Sequence, residues 1–223
     1  MASSDHNIIV VGTQSGLLRS LDLGESWARM TFTGDVEHQP LTESFGAVAI
    51  DPQNPDIVYA GAPYSLWKTV NGGIDWHRMN KGLPEDCDIA NIIINPKVPS
   101  QIYVTACSTI YTSSNAAALF RPLHTFDISD KWINVLNVNL YNRSVIYAGT
   151  TRGLWRTSDG GQTWSCVTSP DAVISDVLID PRDLTETVVA ASYNGVLLSS
   201  DAFVHYVRST QGLEGVTSTV KQE

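Results

Sequence analysis

The 223-residue sequence is poor in basic residues, in cysteine and in long apolar runs. Its 14 Lys and Arg stand against 23 Asp and Glu, a formal net charge of −9. That excess repels phosphate backbones and anionic headgroups, so nucleic acid and membrane surfaces are excluded as first-choice partners. No run reaches the roughly 18 consecutive apolar residues of a membrane span. The opening MASSDHNIIVVGTQ has no basic segment leading into an apolar stretch and a small-residue cleavage site. A cytoplasmic location is therefore the default expectation, with a secreted mature form as the alternative. Cys87, Cys107 and Cys166 are too few and too scattered for a disulfide framework or a zinc site. They are expected to be reduced, small buried side chains. A Cys87–Cys107 bridge is the lesser option, since both should lie near matching ends of adjacent strands. Sustained helical periodicity is also missing, which leaves an all-β chain.

What the sequence does have is a repeat. SLDLGESW (20–27), TVNGGIDW (69–76), SSNAAALF (113–120), TSDGGQTW (157–164) and SSDAFVHY (199–206) are related boxes. Their third residues, Asp22, Asn71, Asn115, Asp159 and Asp201, lie 49, 44, 44 and 42 residues apart. Each box follows an apolar lead-in: GLLR, SLWK, TIYT, GLWR or GVLL. Further upstream stands a strand, an Asp/Asn-containing turn and a returning strand, as in VAIDPQNPDIVYAG (48–61) and IIINPKVPSQIYVT (92–105). The unit is thus a four-stranded antiparallel meander, repeated five times. NIIVVGTQSGLLR lacks the opening strand of its unit, and Val216 to Val220 stands where another opening strand is due. Residues 216–223 are accordingly expected to complete the first unit and close a ring with no free edge.

The boxes resemble the Asp-box family, also called bacterial neuraminidase repeats, whose pattern is Ser/Thr-x-Asp-x-Gly-x-x-Trp. SLDLGESW and TSDGGQTW match in full, TVNGGIDW carries Asn for Asp, and the other two lack the Gly and the Trp. The resemblance covers essentially the whole chain. It implies one five-bladed β-propeller domain over 1–223, with blades at 1–40 plus 216–223, 41–87, 88–131, 132–172 and 173–215. The family includes sialidases, xyloglucan hydrolases, sortilin-type receptors and a photosystem II assembly factor, so the fold does not settle the function.

Local chemistry makes the boxes architecture. An Asp or Asn side chain can accept from backbone N–H groups two or three residues on, Gly permits positive φ, and Trp packs on the blade. Asn preserves that turn and would abolish a general acid or nucleophile. Asp22, Asn71, Asn115, Asp159 and Asp201 are therefore assigned as turns, and no catalytic residue is assigned.

A binding site is expected at the opposite ends of the strands. The turns there read TQSG, APYS, ACST, TTRG and SYNG and share little beyond glycine, which counts against one sugar pocket per blade. The blade-to-blade loops are acidic. Asp35, Glu37, Glu43, Glu85, Asp86, Asp88, Asp127, Asp130, Asp171 and Glu214 face only Lys81 and Lys131. Such a rim suits a basic segment of a partner or serves simply as a solvated face. Asp35, Glu37, His38, Tyr64, Asp86, Asp88, Trp132, Arg152 and Tyr193 are the candidate binding residues, since aromatic and Arg side chains dominate recognition. The Asp35, Glu37 and His38 loop fixes no ligand geometry, so neither a metal nor a cofactor is expected. His124 is read as the second histidine of this rim.

The reading that follows is a non-catalytic module binding a protein or peptide, basic if the rim is used. Carbohydrate is the other open ligand. The alternative is a carboxylate-based glycoside hydrolase, which needs two carboxyls about 5 to 10 Å apart. A sialidase is disfavoured: the family's Phe/Tyr-Arg-Ile-Pro motif is missing and only Arg152 falls in a site-rim loop. A third reading makes the chain a piece of a larger propeller.

Overall fold

The computed structural model describes residues 7–31, 44–126, 132–139, 142, 144–180 and 186–210. These residues form strands and turns alone, and no helix among them is long and apolar enough to cross a membrane. The chain divides into two compact units, Met1–Thr125 and Phe126–Glu223.

The first unit holds three antiparallel sheets in chain order. The first sheet is β1 (Ile9–Thr13), β2 (Gly16–Ser20) and β3 (Ala28–Met30). The second is β4 (Ala47–Ile50), β5 (Val58–Ala62), β6 (Ser65–Thr69) and β7 (His77–Arg78). The third is β8 (Ile89–Ile94), β9 (Ile102–Ala106), β10 (Thr109–Ser113) and β11 (Arg121–Thr125). In the second unit, β12 (Ile133–Val138), β13 (Ile146–Thr150), β14 (Gly153–Thr157) and β15 (Ser165–Cys166) form the fourth sheet. β16 (Ile174–Ile179), β17 (Val188–Ser192), β18 (Gly195–Ser199) and β19 (Val207–Ser209) form the fifth. Each sheet is a meander whose neighbours in sequence pair in space, the repeated unit read from the boxes. The first sheet has three strands among the described residues. The expected closing segment, 216–223, lies outside them.

Burial explains which residues form which strand. The opening strands IANIII and INVLNV bury Ile89, Ile92 and Ile94, and Ile133, Leu136 and Val138, an alternation of period two broken once by a register shift after the first residue. The second strands VYAGA, IYVTA and IYAGT are buried at every position. Covered on both faces, they read as continuous apolar runs. Tyr59 and Tyr147 are almost wholly buried there, each contributing roughly 2–3 kcal/mol of apolar burial. Successive sheets within a unit approach so closely that a Cβ on Gly61 would meet Ile89 at 2.7 Å, and one on Gly149 would meet Ile174 at 2.7 Å. In the second unit Phe126 wedges edge-on against Trp155 and Trp164, both at 5.4 Å between centroids.

The opening-strand turns are tied to the boxes. Asp51 Oδ1 accepts from the N–H groups of Gln53 (2.8 Å) and Asn54 (3.2 Å), and Asn95 Oδ1 accepts from Lys97 at 3.0 Å. From the ends of these turns Asp56, Ser100, Ser144 and Glu186 offer backbone carbonyls to the fourth residue of their own sheet's box. The donors are the N–H groups of Gly72, Ala116, Gly160 and Ala202. This cross-link recurs at fixed places in each sheet, which is why a period of about 44 residues is visible in the sequence.

Candidate functional site

Each sheet has a box end and a hairpin end. At the box end all five boxes share one hydrogen-bond scheme, including the two that lack Gly and Trp. The leading Ser or Thr hydroxyl donates to the Asp or Asn two residues on, at 2.7 Å for Ser20 to Asp22 and 2.8 Å for Ser113 to Asn115. The same oxygen accepts from the N–H of the fifth box residue, as from Gly161 at 3.0 Å and Phe203 at 2.9 Å. The Asp or Asn oxygen then accepts from the N–H four residues beyond it, at 2.9 Å from Ser26, Asp75, Thr163 and His205 and 3.0 Å from Leu119. The expected reach of two or three residues is therefore longer in fact. Two successive left-handed residues, such as Gly72 and Gly73 or Ala116 and Ala117, carry the chain across that span.

These bonds hold the box carboxylates ionised. The Ser26 hydroxyl and N–H, with Ser20, lower Asp22 to about 2; the His205 N–H and ring lower Asp201 to about 2. The Thr163 hydroxyl and N–H push Asp159 further down. A general acid needs the opposite shift. The Trp indoles are used in the same turns: Nε1 of Trp27, Trp76 and Trp164 donates to the carbonyl of Gly24, Gly73 and Gly161.

At the hairpin end the tips are Gln14–Ser15, Pro63–Tyr64, Cys107–Ser108, Thr151–Arg152 and Tyr193–Asn194. In the first unit Tyr64 is half exposed, with φ 60°. Its carbonyl accepts from Asn80 Nδ2 at 2.8 Å, while Asn80 Oδ1 accepts from the Leu66 N–H at 2.9 Å. Glu85, Asp86 and Asp88 are exposed beside this end of the chain's third sheet. Cys87, between the last two, is disulfide-bonded to Cys107 at the β9–β10 tip, with Cα atoms 5.6 Å apart. This corrects the expectation of reduced cysteines for two of the three. The physical reason is register: Ile89 pairs with Ala106, which brings the residues beyond that pair together. Cys166 alone is free. His124 is also corrected: it lies on β11 opposite Ile110, half-buried, and burial lowers its pKa.

In the second unit Trp132, 58% exposed, is held against the β13–β14 tip. Its N–H donates to Thr151 Oγ1 at 3.3 Å and its carbonyl accepts from the Thr151 N–H at 3.2 Å. Arg152 is exposed on the same turn, its N–H donating to Thr150 Oγ1 at 3.0 Å. Tyr193 is 83% exposed at the next tip, and Asp171 is exposed. Trp132 and Arg152 thus lie at the hairpin end of the fourth sheet and Tyr193 at that of the fifth. Asp35, Glu37 and His38 lie outside the described residues, as do Glu43, Asp127, Asp130 and Glu214.

One set of residues escaped the sequence reading. Arg19, Lys68 and Arg156 stand immediately before their boxes and reach the next sheet. Arg19 donates to the Gly72 carbonyl (2.8 Å) and to Asp56 (3.2 Å); Lys68 donates to the Ala116 carbonyl (3.1 Å). Arg156 pairs with Glu186 at 2.5 Å and donates to the Tyr147 hydroxyl at 3.0 Å. The signal was a cation closing an otherwise apolar lead-in, GLLR, SLWK or GLWR.

No family model matches the sequence. A curated xyloglucanase from Paenibacillus sp is 27% identical over 154 residues, which is 68% of this chain and 13% of that protein. Among solved structures, an ancestral GH74 enzyme matches with TM-score 0.75 at 19% identity, over 96% of this chain and 31% of its own. The GH74 xyloglucanase from Xanthomonas campestris matches with TM-score 0.70 at 14% identity, over 93% and 37%. YCF48 bound to a D1 peptide matches with TM-score 0.61 at 15% identity, over 92% and 65%. The structural likenesses establish the β-propeller fold, and the chain spans 13% of the curated xyloglucanase, about a third of the two solved GH74 chains and under two thirds of the peptide-bound protein.

Proposed function

We propose that this chain is the glycan-recognising portion of a xyloglucanase-type glycoside hydrolase. The observation that carries the reading is Trp132 and Tyr193, two large aromatic side chains exposed at the hairpin ends of the fourth and fifth sheets, with Arg152 exposed on the turn that holds Trp132. Flat sugar faces rich in C–H groups stack on such rings, and an Arg supplies hydrogen bonds to hydroxyls. Tyr64 offers the same surface in the first unit. The likeness to a xyloglucanase in sequence, and to GH74 enzymes in fold, favours polysaccharide over peptide.

The box carboxylates are unsuited to act as general acid because their pKa values are lowered, and their oxygens are taken up by the turn N–H groups, so hydrolysis would draw on loop carboxylates such as Glu85, Asp86, Asp88 and Asp171. The disulfide suits an oxidising, extracytoplasmic compartment, where polysaccharide is met. The second reading, a module for a basic peptide, rests on the acidic loops and on the likeness to peptide-bound YCF48.

Native gel electrophoresis in soluble xyloglucan, with a reducing-sugar assay alongside, separates the two. The wild-type chain is expected to be retarded, and Trp132→Ala or Tyr193→Ala to weaken binding about tenfold, or ~1.4 kcal/mol. A chain that ignores xyloglucan yet binds a Lys-rich peptide in a salt-dependent way would establish the scaffold reading instead.

A further inference from the structure

We infer that Asn194, at the β17–β18 tip, is a site of spontaneous deamidation, through which an acidic group enters the hairpin end beside Tyr193. Two asparagines in the chain precede glycine, Asn71 in the second box and Asn194 in the turn SYNG. That dipeptide is chemically labile, because a glycine has no side chain to hinder attack by its own backbone nitrogen on the amide before it. The Gly195 nitrogen bonds to Cγ of Asn194, the Cγ–Nδ2 bond breaks, and Nδ2 leaves as ammonia with the proton that Gly195 gives up. Water then opens the five-membered imide at Cγ, giving aspartate, or at the main-chain carbonyl, giving isoaspartate. No reactant but water is consumed.

The fold separates two asparagines that the dipeptide makes equivalent. In the second box Asn71 is held at both atoms of its amide. Its Oδ1 accepts from the Thr69 hydroxyl and the Asp75 N–H, both at 2.9 Å, and its Nδ2 donates to Asp75 Oδ2 at 2.9 Å. The nucleophile is occupied as well: the Gly72 N–H donates to the Asp56 carbonyl at 2.9 Å. Bringing that nitrogen onto Cγ disturbs four hydrogen bonds together. Asn194 has no such restraint. It is exposed, and its side chain makes no hydrogen bond among the described residues. Gly195 is the first residue of β18 and pairs with Ser192 in the last rung of the ladder, where opening is easiest. The exposure belongs to the tip: Tyr64 is half exposed too, in the second sheet, which contacts a sheet on either side.

The glycine of this pair is fixed by the backbone. Gly195 sits at φ 120°, and a Cβ there would meet the Ser209 carbonyl oxygen at 2.6 Å, so the position admits glycine alone. The residue before it varies: Ser15, Tyr64, Ser108 and Arg152 stand at the equivalent place in the other sheets. It is therefore the asparagine that makes this tip labile. Either product places a carboxylate next to Tyr193, which is 83% exposed. Isoaspartate also lengthens the main chain of the turn by one methylene.

Incubation of the folded full chain for weeks at mildly alkaline pH, followed by peptide mapping with mass spectrometry, tests this. The peptide carrying Asn194 is expected to gain about one mass unit, at least about tenfold faster than the peptide carrying Asn71. Isoaspartyl methyltransferase with a labelled methyl donor should mark the aged chain at that position. In urea, where both turns are lost, the two rates should converge. Asn194→Ser, which places there the residue found at the tips of the first and third sheets, should abolish the methylation at this tip with unchanged circular dichroism. Asn194→Gln, whose imide ring closes more slowly, replaces a serine variant that does not fold. An Asn194 that stays intact in the folded chain, or an Asn71 that converts as fast, would overturn the proposal.

Discussion

Asn71 Nδ2 donates a hydrogen bond to the Asp75 carboxylate at 2.9 Å, in the place where the Thr163 hydroxyl donates to Asp159 at 2.6 Å. The two boxes have exchanged which residue is the acceptor while keeping the backbone bond four residues on, at 2.9 Å in both. The turn therefore requires an oxygen at the third position, whatever its charge, while the seventh residue need supply only its N–H, as Leu119 does at 3.0 Å.

Asp159→Asn should accordingly leave the thermal midpoint at pH 7 nearly unchanged, whereas Asp159→Ala, which removes the acceptor for the Gln162 and Thr163 N–H groups, should lower it clearly. The acid limb provides a second measure. Asp22 and Asp201 fall from 3.8 to about 2 on folding. A carboxylate with a depressed folded pKa contributes stability that is fully present above its unfolded value. That stability is lost as pH falls through the folded value, here between about 4 and 2. Replacing Asp22, Asp159 and Asp201 together by Asn should flatten the fall in denaturation midpoint across that window. An unaltered acid limb would show that other carboxylates govern it.

The left-handed pairs at the box tips give a prediction about backbone cost. Ala116 and Ala202 sit at φ 56° and 61° without being glycine. Relief of about 1–2 kcal/mol of left-handed strain, less the roughly 0.4–1 kcal/mol that Gly adds to unfolded-chain entropy, leaves a small net gain. Ala116→Gly and Ala202→Gly should each stabilise by about 0.5–1 kcal/mol in urea titrations. Gly160 is the reverse control, with φ 76° and nothing within 4 Å of an added Cβ. Gly160→Ala meets no clash, so its cost of roughly 1 kcal/mol should be conformational alone. Opposite signs for the two directions are the expected outcome, and equal signs would refute the account.

The boxes were legible because one side-chain-to-backbone scheme constrains the same residue types five times over. The strands were legible because a second strand covered on both faces must be a continuous apolar run, as VYAGA and IYAGT are. The hairpin end was less so: Tyr64, Trp132, Arg152 and Tyr193 lie at unrelated turns, and nothing periodic marks them. Two features depended on register, which a sequence does not display. The Cys87–Cys107 bridge follows from the Ile89–Ala106 pairing, and His124 moved from loop to strand because β11 pairs with β10 through Thr125. The bridging cations Arg19, Lys68 and Arg156 were visible as letters, but their targets lie a full sheet away.

The disulfide leads to the remaining prediction. Cys87 and Cys107 are 20 residues apart, and the segment they close is β8, its turn and β9, already paired in the native sheet. A crosslink over a loop of that length restricts the unfolded chain by about 3 kcal/mol in the loop-entropy view. It adds little to the strands themselves, whose ladder from Ile89 to Ile94 is formed without it. It does anchor the exposed run Glu85, Asp86 and Asp88 to the β9–β10 tip. Reduction, or the Cys87→Ser/Cys107→Ser pair, should lower unfolding stability by about 2–4 kcal/mol while the far-ultraviolet spectrum stays that of an all-β chain. Amide exchange should quicken at residues 85–88 and 107–108 before it quickens in β9, because the tether is lost while the core around Ile102 and Val104 remains at 0% exposure. Uniform acceleration across the third sheet would instead mean that the bridge holds the strands and not the loop.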